Sequence, residues 1–149
     1  MKRFEVPPAL AHTLNRAHLA APAVEILAGM RLGLLERLRQ QLSAWQIAPI
    51  HASMFGSAAR GDGDADSDID LFIVRPGDTD SEDPVWNEQL AELSKLVVDS
   101  TGNRASIIDL AQPELGEMLE LKRPILEELR ADAIDLAGMP IRKLLRDAR

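Results

Sequence analysis

Two aspartates, Asp68 and Asp70, stand two residues apart at the mouth of an apolar run, Ile69 to Val74. A short apolar run bounded by turn residues reads as a buried strand. Side chains alternate along a strand, so residues two apart project to the same side, and the carboxylates are held together. Upstream lies a small-residue turn, Gly56-Ser57, followed by Arg60-Gly61. Paired carboxylates suit a hard divalent cation, and a glycine turn presenting backbone N–H groups suits a phosphate. Together they describe a metal–nucleotide site. Gly56 lets the backbone turn sharply and approach a ligand. Ser57 offers an N–H and a hydroxyl to terminal phosphates at a helix start, a role compatible with capping that helix. Arg60 adds charge.

Other phosphate and metal motifs fail on spacing. Asp62, Asp64 and Asp66 alternate like calcium ligands, but a calcium loop counted from Asp62 needs glycine sixth and glutamate twelfth. Those positions hold Ser67 and Ile73. The alternating aspartates therefore read as a solvated loop. Gly56 and Gly61 have the spacing of a phosphate-binding loop, but Asp62 occupies the place of its lysine. His12, His18 and His51 show no ligand spacing and read as surface or packing residues. No Ser-His-Asp or Cys-His order is visible.

The succession Gly-Ser, Arg-Gly, Ser-Asp-Ile-Asp-Leu between Phe55 and Val74 resembles the nucleotidyltransferase superfamily of DNA polymerase β. It is most similar to the minimal bacterial members. The likeness extends from about Arg31 to the C-terminus. It implies an α/β fold with a small mixed β-sheet flanked by helices. It also implies a third carboxylate from a later strand, for which Asp109 in Ser106-Ile107-Ile108-Asp109-Leu110 is the matching position. In the family, two Mg2+ ions sit between such carboxylates. An NTP, most often ATP, then gives its NMP group to a hydroxyl and releases pyrophosphate, with Asp109 helping to position or deprotonate the acceptor. Minimal members also occur as antitoxins paired with a small helical toxin. An interaction module that binds nucleotide and pairs with a protein is the alternative reading.

The elements that must position these residues follow from periodicity. Pro22 suits a first helical turn, and Leu27, Met30, Leu34, Leu38, Leu42 and Trp45 recur at helical spacing to about Trp45. Ile50 to Phe55 is the strand that delivers Gly56-Ser57, and Ser57 to Arg60 forms a short helical turn. Trp86, Leu90, Leu93 and Val97 mark a helix closing near Gly102. Ala105 to Leu110 is a third strand. Pro113 opens a helix with Leu115, Met118, Leu119 and Leu121 inward, and Pro124 another through Arg130. Ala133 to Leu136 is an edge strand, and Pro140 to Arg146 a terminal helix. Strands alternating with helices give an α/β layer structure.

The chain of 149 residues favours one main domain. Residues 1–21 are expected as an N-terminal arm and residues 22–149 as the nucleotidyltransferase domain. Leu14 to Pro22 resembles the segment that leaves a winged-helix domain in some longer regulators of this family. Cysteine is absent, which excludes disulfides and thiolate chemistry and is compatible with the expected cytoplasmic location. No apolar run has the roughly 20 residues of a membrane span. A net charge of -7 disfavours general polyanion binding. Tyrosine is absent and aromatics are 3%, so base-stacking platforms are not expected, nor is nucleic-acid binding by this chain alone. Only Pro113 to Arg149 remains to shape an acceptor pocket. The expected acceptor is therefore a macromolecule, a protein foremost, or a second subunit completes the site in a homo-oligomer.

Overall fold

The structure is a computed structural model that describes residues 15–61 and 67–148, apart from the side chains of Val24, Leu27 and Ala28. The expected loop at Asp62, Asp64 and Asp66, and residues 1–14 of the expected arm with His12, lie outside the described residues. The chain divides into two compact units, residues 1–32 and 33–149. In the first, Arg16 pairs with Glu25 at 3.4 Å on the opening turns of helix α1, Ala21–Ser43.

The second unit is built on a four-stranded mixed sheet in the order β3-β2-β1-β4. Its strands are β1 His51–Phe55, β2 Ile69–Arg75, β3 Ala105–Ala111 and β4 Ile134–Gly138. β1 pairs antiparallel with β2 and β4, and β2 pairs parallel with β3. The parallel pair requires a crossover, supplied by α3, Pro84–Thr101. Its ends obey local chemistry. The Asp83 side chain accepts from the N–H groups of Val85 and Trp86, Pro84 opens the first turn, and Gly102 closes the helix in the left-handed region at φ 78°. The remaining helices are α2 Gly56–Arg60, α4 Gln112–Glu120, α5 Ile125–Asp132 and α6 Ile141–Asp147.

Alternation along the strands sends apolar residues to both faces of the sheet. Leu71 and Ile73 join Leu34, Leu38, Leu42, Trp86, Leu93 and Val97 on one side. Phe72 and Val74 join Leu115, Leu126, Leu129, Ile141 and Leu144 on the other. Trp45 meets Trp86 edge-on, with ring centroids 5.2 Å apart, a favoured aromatic geometry.

Two expected inward positions face water. Met30 and Leu121 are 56% and 64% exposed. Leu121 lies past the end of α4, where the chain leaves the helix. His51 is fully buried. Its Nδ1 lies 2.7 Å from the Met139 carbonyl and its Nε2 2.8 Å from Ser53 Oγ. Donating at Nδ1 and accepting at Nε2 suits a neutral ring, and burial pushes its pKa down.

Candidate functional site

The antiparallel register pairs Phe55 with Asp70, so the end of β1 lies beside the start of β2. That pairing brings Gly56, at the head of the turn, to Asp70. Gly56 has φ +69°, and a Cβ there would lie 2.6 Å from Asp70 Oδ2. Glycine is required twice over at this position: for its left-handed backbone and for the carboxylate resting against it. From Gly56 the chain enters α2, whose C-cap Gly61 closes onto the Ser57 carbonyl in the left-handed region. Arg60, in the last turn, pairs with Asp132 of α5 at 2.9 Å.

The start of β2 is held from a second side. Ile69 N–H donates to the Arg104 carbonyl at 2.8 Å. Asn103 Nδ2 donates to the Ser67 carbonyl at 2.8 Å, and Arg104 Nε lies 3.7 Å from Asp68 Oδ1. The turn after α3 thereby fixes the backbone on which the aspartates sit.

Asp70 has its pKa raised, first by burial, then by the like charges of Asp68 and Glu128. A hydrogen bond from Ser106 and the positive charge of Arg60 oppose that shift. A half-buried carboxylate facing two others is a place where a divalent cation would relieve repulsion. Among the described residues no group of three or more His, Cys, Asp or Glu is arranged to hold a metal.

Asp109 is not brought to this pair. The parallel register sets Ser106, not Asp109, opposite Asp70, and Asp109 opposite Ile73. Asp109 is three residues further along β3, about 10 Å, and an odd offset turns it to the other face of the sheet. There its Oδ2 accepts from Arg75 Nη1 at 2.8 Å and from Trp86 Nε1 at 3.3 Å. Its Oδ1 is buried without a hydrogen-bond partner among the described residues. Arg75 also donates to the Thr79 carbonyl at 3.3 Å and lies 3.5 Å from Glu114 Oε2. Asp109 is thus tied into an ion-paired junction joining β2, β3 and α3.

Sequence reasoning missed Ser106, Glu128, Asn103 and Arg104. Ser106 was recoverable by counting from the start of β3, since parallel strands that begin level place their second residues together. Glu128 carries no local signal, because only the packing of α5 brings its charge to Asp70.

Set beside known proteins, residues 34–145 match the nucleotidyltransferase domain family. The chain belongs to that family, and its fold and the DNA polymerase β-like resemblance agree. Among solved structures it is similar to a toxin–antitoxin complex with AMP-PNP, at 15% identity and a TM-score of 0.50, covering 76% of this chain and 82% of the other. A mutant of the toxin–antitoxin MntA-HpeT has 13% identity, a TM-score of 0.49 and the same coverage. A putative nucleotidyltransferase from Sulfolobus solfataricus has 16% identity and a TM-score of 0.38, covering 72% and 83%. No curated protein sequence matches the chain. Among the described residues no helix is long and apolar enough to cross a membrane.

Proposed function

We propose that this nucleotidyltransferase domain binds a magnesium–NTP complex, with ATP the preferred nucleotide, and moves its NMP group to a hydroxyl of a protein partner. The observation that carries the reading is the contact of Gly56 with Asp70. A backbone turn suited to phosphate and a carboxylate suited to a cation meet within 2.6 Å of a would-be side chain. Asp68 and Asp70 would hold the metal, which supplies charge neutralisation for the triphosphate and the pyrophosphate leaving group. The backbone at Gly56 and Ser57 would receive phosphate oxygens, and Ser57 would add its hydroxyl. Arg60, anchored by Asp132, would add positive charge from α2.

A protein acceptor follows from what the helices are already doing. Leu115, Leu126, Leu129, Ile141, Leu144 and Leu145 of α4 to α6 are buried in the core, leaving no helical layer among the described residues to enclose a small acceptor. Orienting such an acceptor and excluding water would require one. Pairing with a protein also agrees with the toxin–antitoxin neighbour solved with AMP-PNP, whose likeness itself concerns the fold.

The second reading, a nucleotide-binding interaction module with little turnover, is favoured by Ser106. It stands opposite Asp70, so β3 contributes a hydroxyl where a third carboxylate was expected. One experiment separates the readings. The protein is incubated with each α-labelled NTP, Mg2+ and a lysate of its source, and compared with Ser106→Asp. Labelled protein from the native chain supports transfer. Nucleotide binding without label, with transfer appearing in Ser106→Asp, supports the module. Absence of nucleotide binding in both would refute the site.

A further inference from the structure

The register of β2 against β3 sets a row of side chains at the mouth of the sheet. Ile69 stands opposite Ala105 and Asp70 opposite Ser106, so Arg104, one residue before Ala105, is level with Asp68. Level residues on parallel neighbours project to one face, about 4.8 Å apart. The two carboxylates at the start of β2 therefore meet a guanidinium and a hydroxyl at the start of β3. The contacts agree with that placement. Arg104 Nε lies 3.7 Å from Asp68 Oδ1, and the Ser106 side chain is hydrogen-bonded to Asp70.

The backbone of Arg104 is anchored and its side chain is loose. Its carbonyl accepts from Ile69 N–H at 2.8 Å. One residue earlier, Asn103 Nδ2 donates to the Ser67 carbonyl at 2.8 Å and Asn103 N–H to Thr101 Oγ1 at 3.0 Å. Beyond that anchor the Arg104 side chain is 86% exposed and the Asp68 side chain 43%. An ion pair so long and so open to water contributes little, so the guanidinium leaves Asp68 at little cost when a stronger anion is offered. A triphosphate is such an anion, and the planar fork of an arginine matches its oxygens. Arg60 is tied more closely, to Asp132 at 2.9 Å. The placement of Arg104 also works against a lone metal ion: a guanidinium beside Asp68 repels a divalent cation approaching that carboxylate.

We infer that Arg104 is a further binding residue of this site, and that it exchanges partners. It lies against Asp68 before ligand arrives, and it turns to the triphosphate when a divalent cation takes Asp68. The exchange couples the two ligands. Metal arriving alone must displace the guanidinium, whereas metal arriving with a triphosphate gives it a new partner, so each ligand favours the other. The inference rests on the reading that Asp68 and Asp70 hold the metal of a magnesium–NTP complex. It adds to that reading the residue that links metal to phosphate.

The test measures Mn2+ alone and Mg–ATP separately, on the full chain at constant ionic strength. Arg104→Ala should weaken Mg–ATP at least about tenfold, the loss expected for a two-point arginine–phosphate contact. The same variant should bind Mn2+ alone about twofold more tightly. Arg104→Lys should fall between, keeping the charge without the fork. In chelator without nucleotide, Arg104→Ala should melt close to the native temperature, because the side chain is exposed. Arg146→Ala, which removes an exposed cation of α6, should change neither ligand and so excludes a general effect of net charge. Opposite signs for metal and nucleotide are the signature; a residue that merely supports the turn would weaken both. Equal Mg–ATP affinity in the native chain and Arg104→Ala overturns the exchange and leaves the site standing, as does a joint loss of Mn2+ and ATP with a fall in melting temperature. Failure of the native chain to bind either ligand overturns the site and the exchange together.

Discussion

Replacing Asp109 by alanine should unfold the protein more easily and leave the proposed nucleotide site intact. The Arg75 guanidinium is only 9% exposed and the Asp109 carboxylate 20%, so the pair lies mostly outside solvent screening. Breaking a buried pair by removing one partner costs about 3–5 kcal/mol, because the remaining charge is left uncompensated. Arg75 keeps partial compensation from the Thr79 carbonyl at 3.3 Å and from Glu114 at 3.5 Å, which lowers that figure. The fully buried Trp86 loses the acceptor of its indole N–H, a loss worth about 1–3 kcal/mol. The balance is about 3 kcal/mol, or a fall of roughly 10 °C in melting temperature for a chain of this size. Urea unfolding in chelator measures the stability, and calorimetric titration with Mg-ATP measures the site. Unchanged stability together with lost metal–nucleotide binding would refute the structural role argued here and return Asp109 to the metal.

Asp70→Asn should behave in the opposite way. Because its folded pKa is raised, the native state binds more protons than the unfolded chain. Asp70 therefore costs stability above its folded pKa, a cost that fades as pH falls through it. In chelator at neutral pH the variant should melt at or above the wild-type temperature while losing Mg-NTP binding; a clear drop in melting temperature would make Asp70 structural. Ser57→Ala should weaken NTP binding by about 1–2 kcal/mol, and Gly56→Val should abolish it by driving a side chain into Asp70; normal affinity in both would remove the turn from the site. His51 has a lowered folded pKa, so its contribution is present above about pH 6.5 and is lost as pH falls through the folded value. Stability should decline below that pH, and a denaturation series in which His51→Gln shows the same acid slope would exclude His51 as its source.

The residues that were legible in the sequence are those whose information is local. Gly56, Ser57, Asp68 and Asp70 sit within one short stretch around two apolar runs, and the β1–β2 register then joins its ends. The close of α3 was legible for the same reason, since Gly102 acts on its immediate neighbours. Leu121 misled because helical spacing continues past Glu120, where the backbone turns out of α4 at Lys122.

By itself, then, the sequence determined the family, the α/β class and the carboxylates beside a glycine turn, all consequences of short-range spacing. The tertiary structure alone decided which residue of β3 meets those carboxylates. A three-residue difference between Ser106 and Asp109 changes both distance and face of the sheet, and strand pairing, not composition, sets that register. The tertiary structure alone also brought Glu128 to Asp70. Charges distant in sequence acquire a common field only when helices pack side by side.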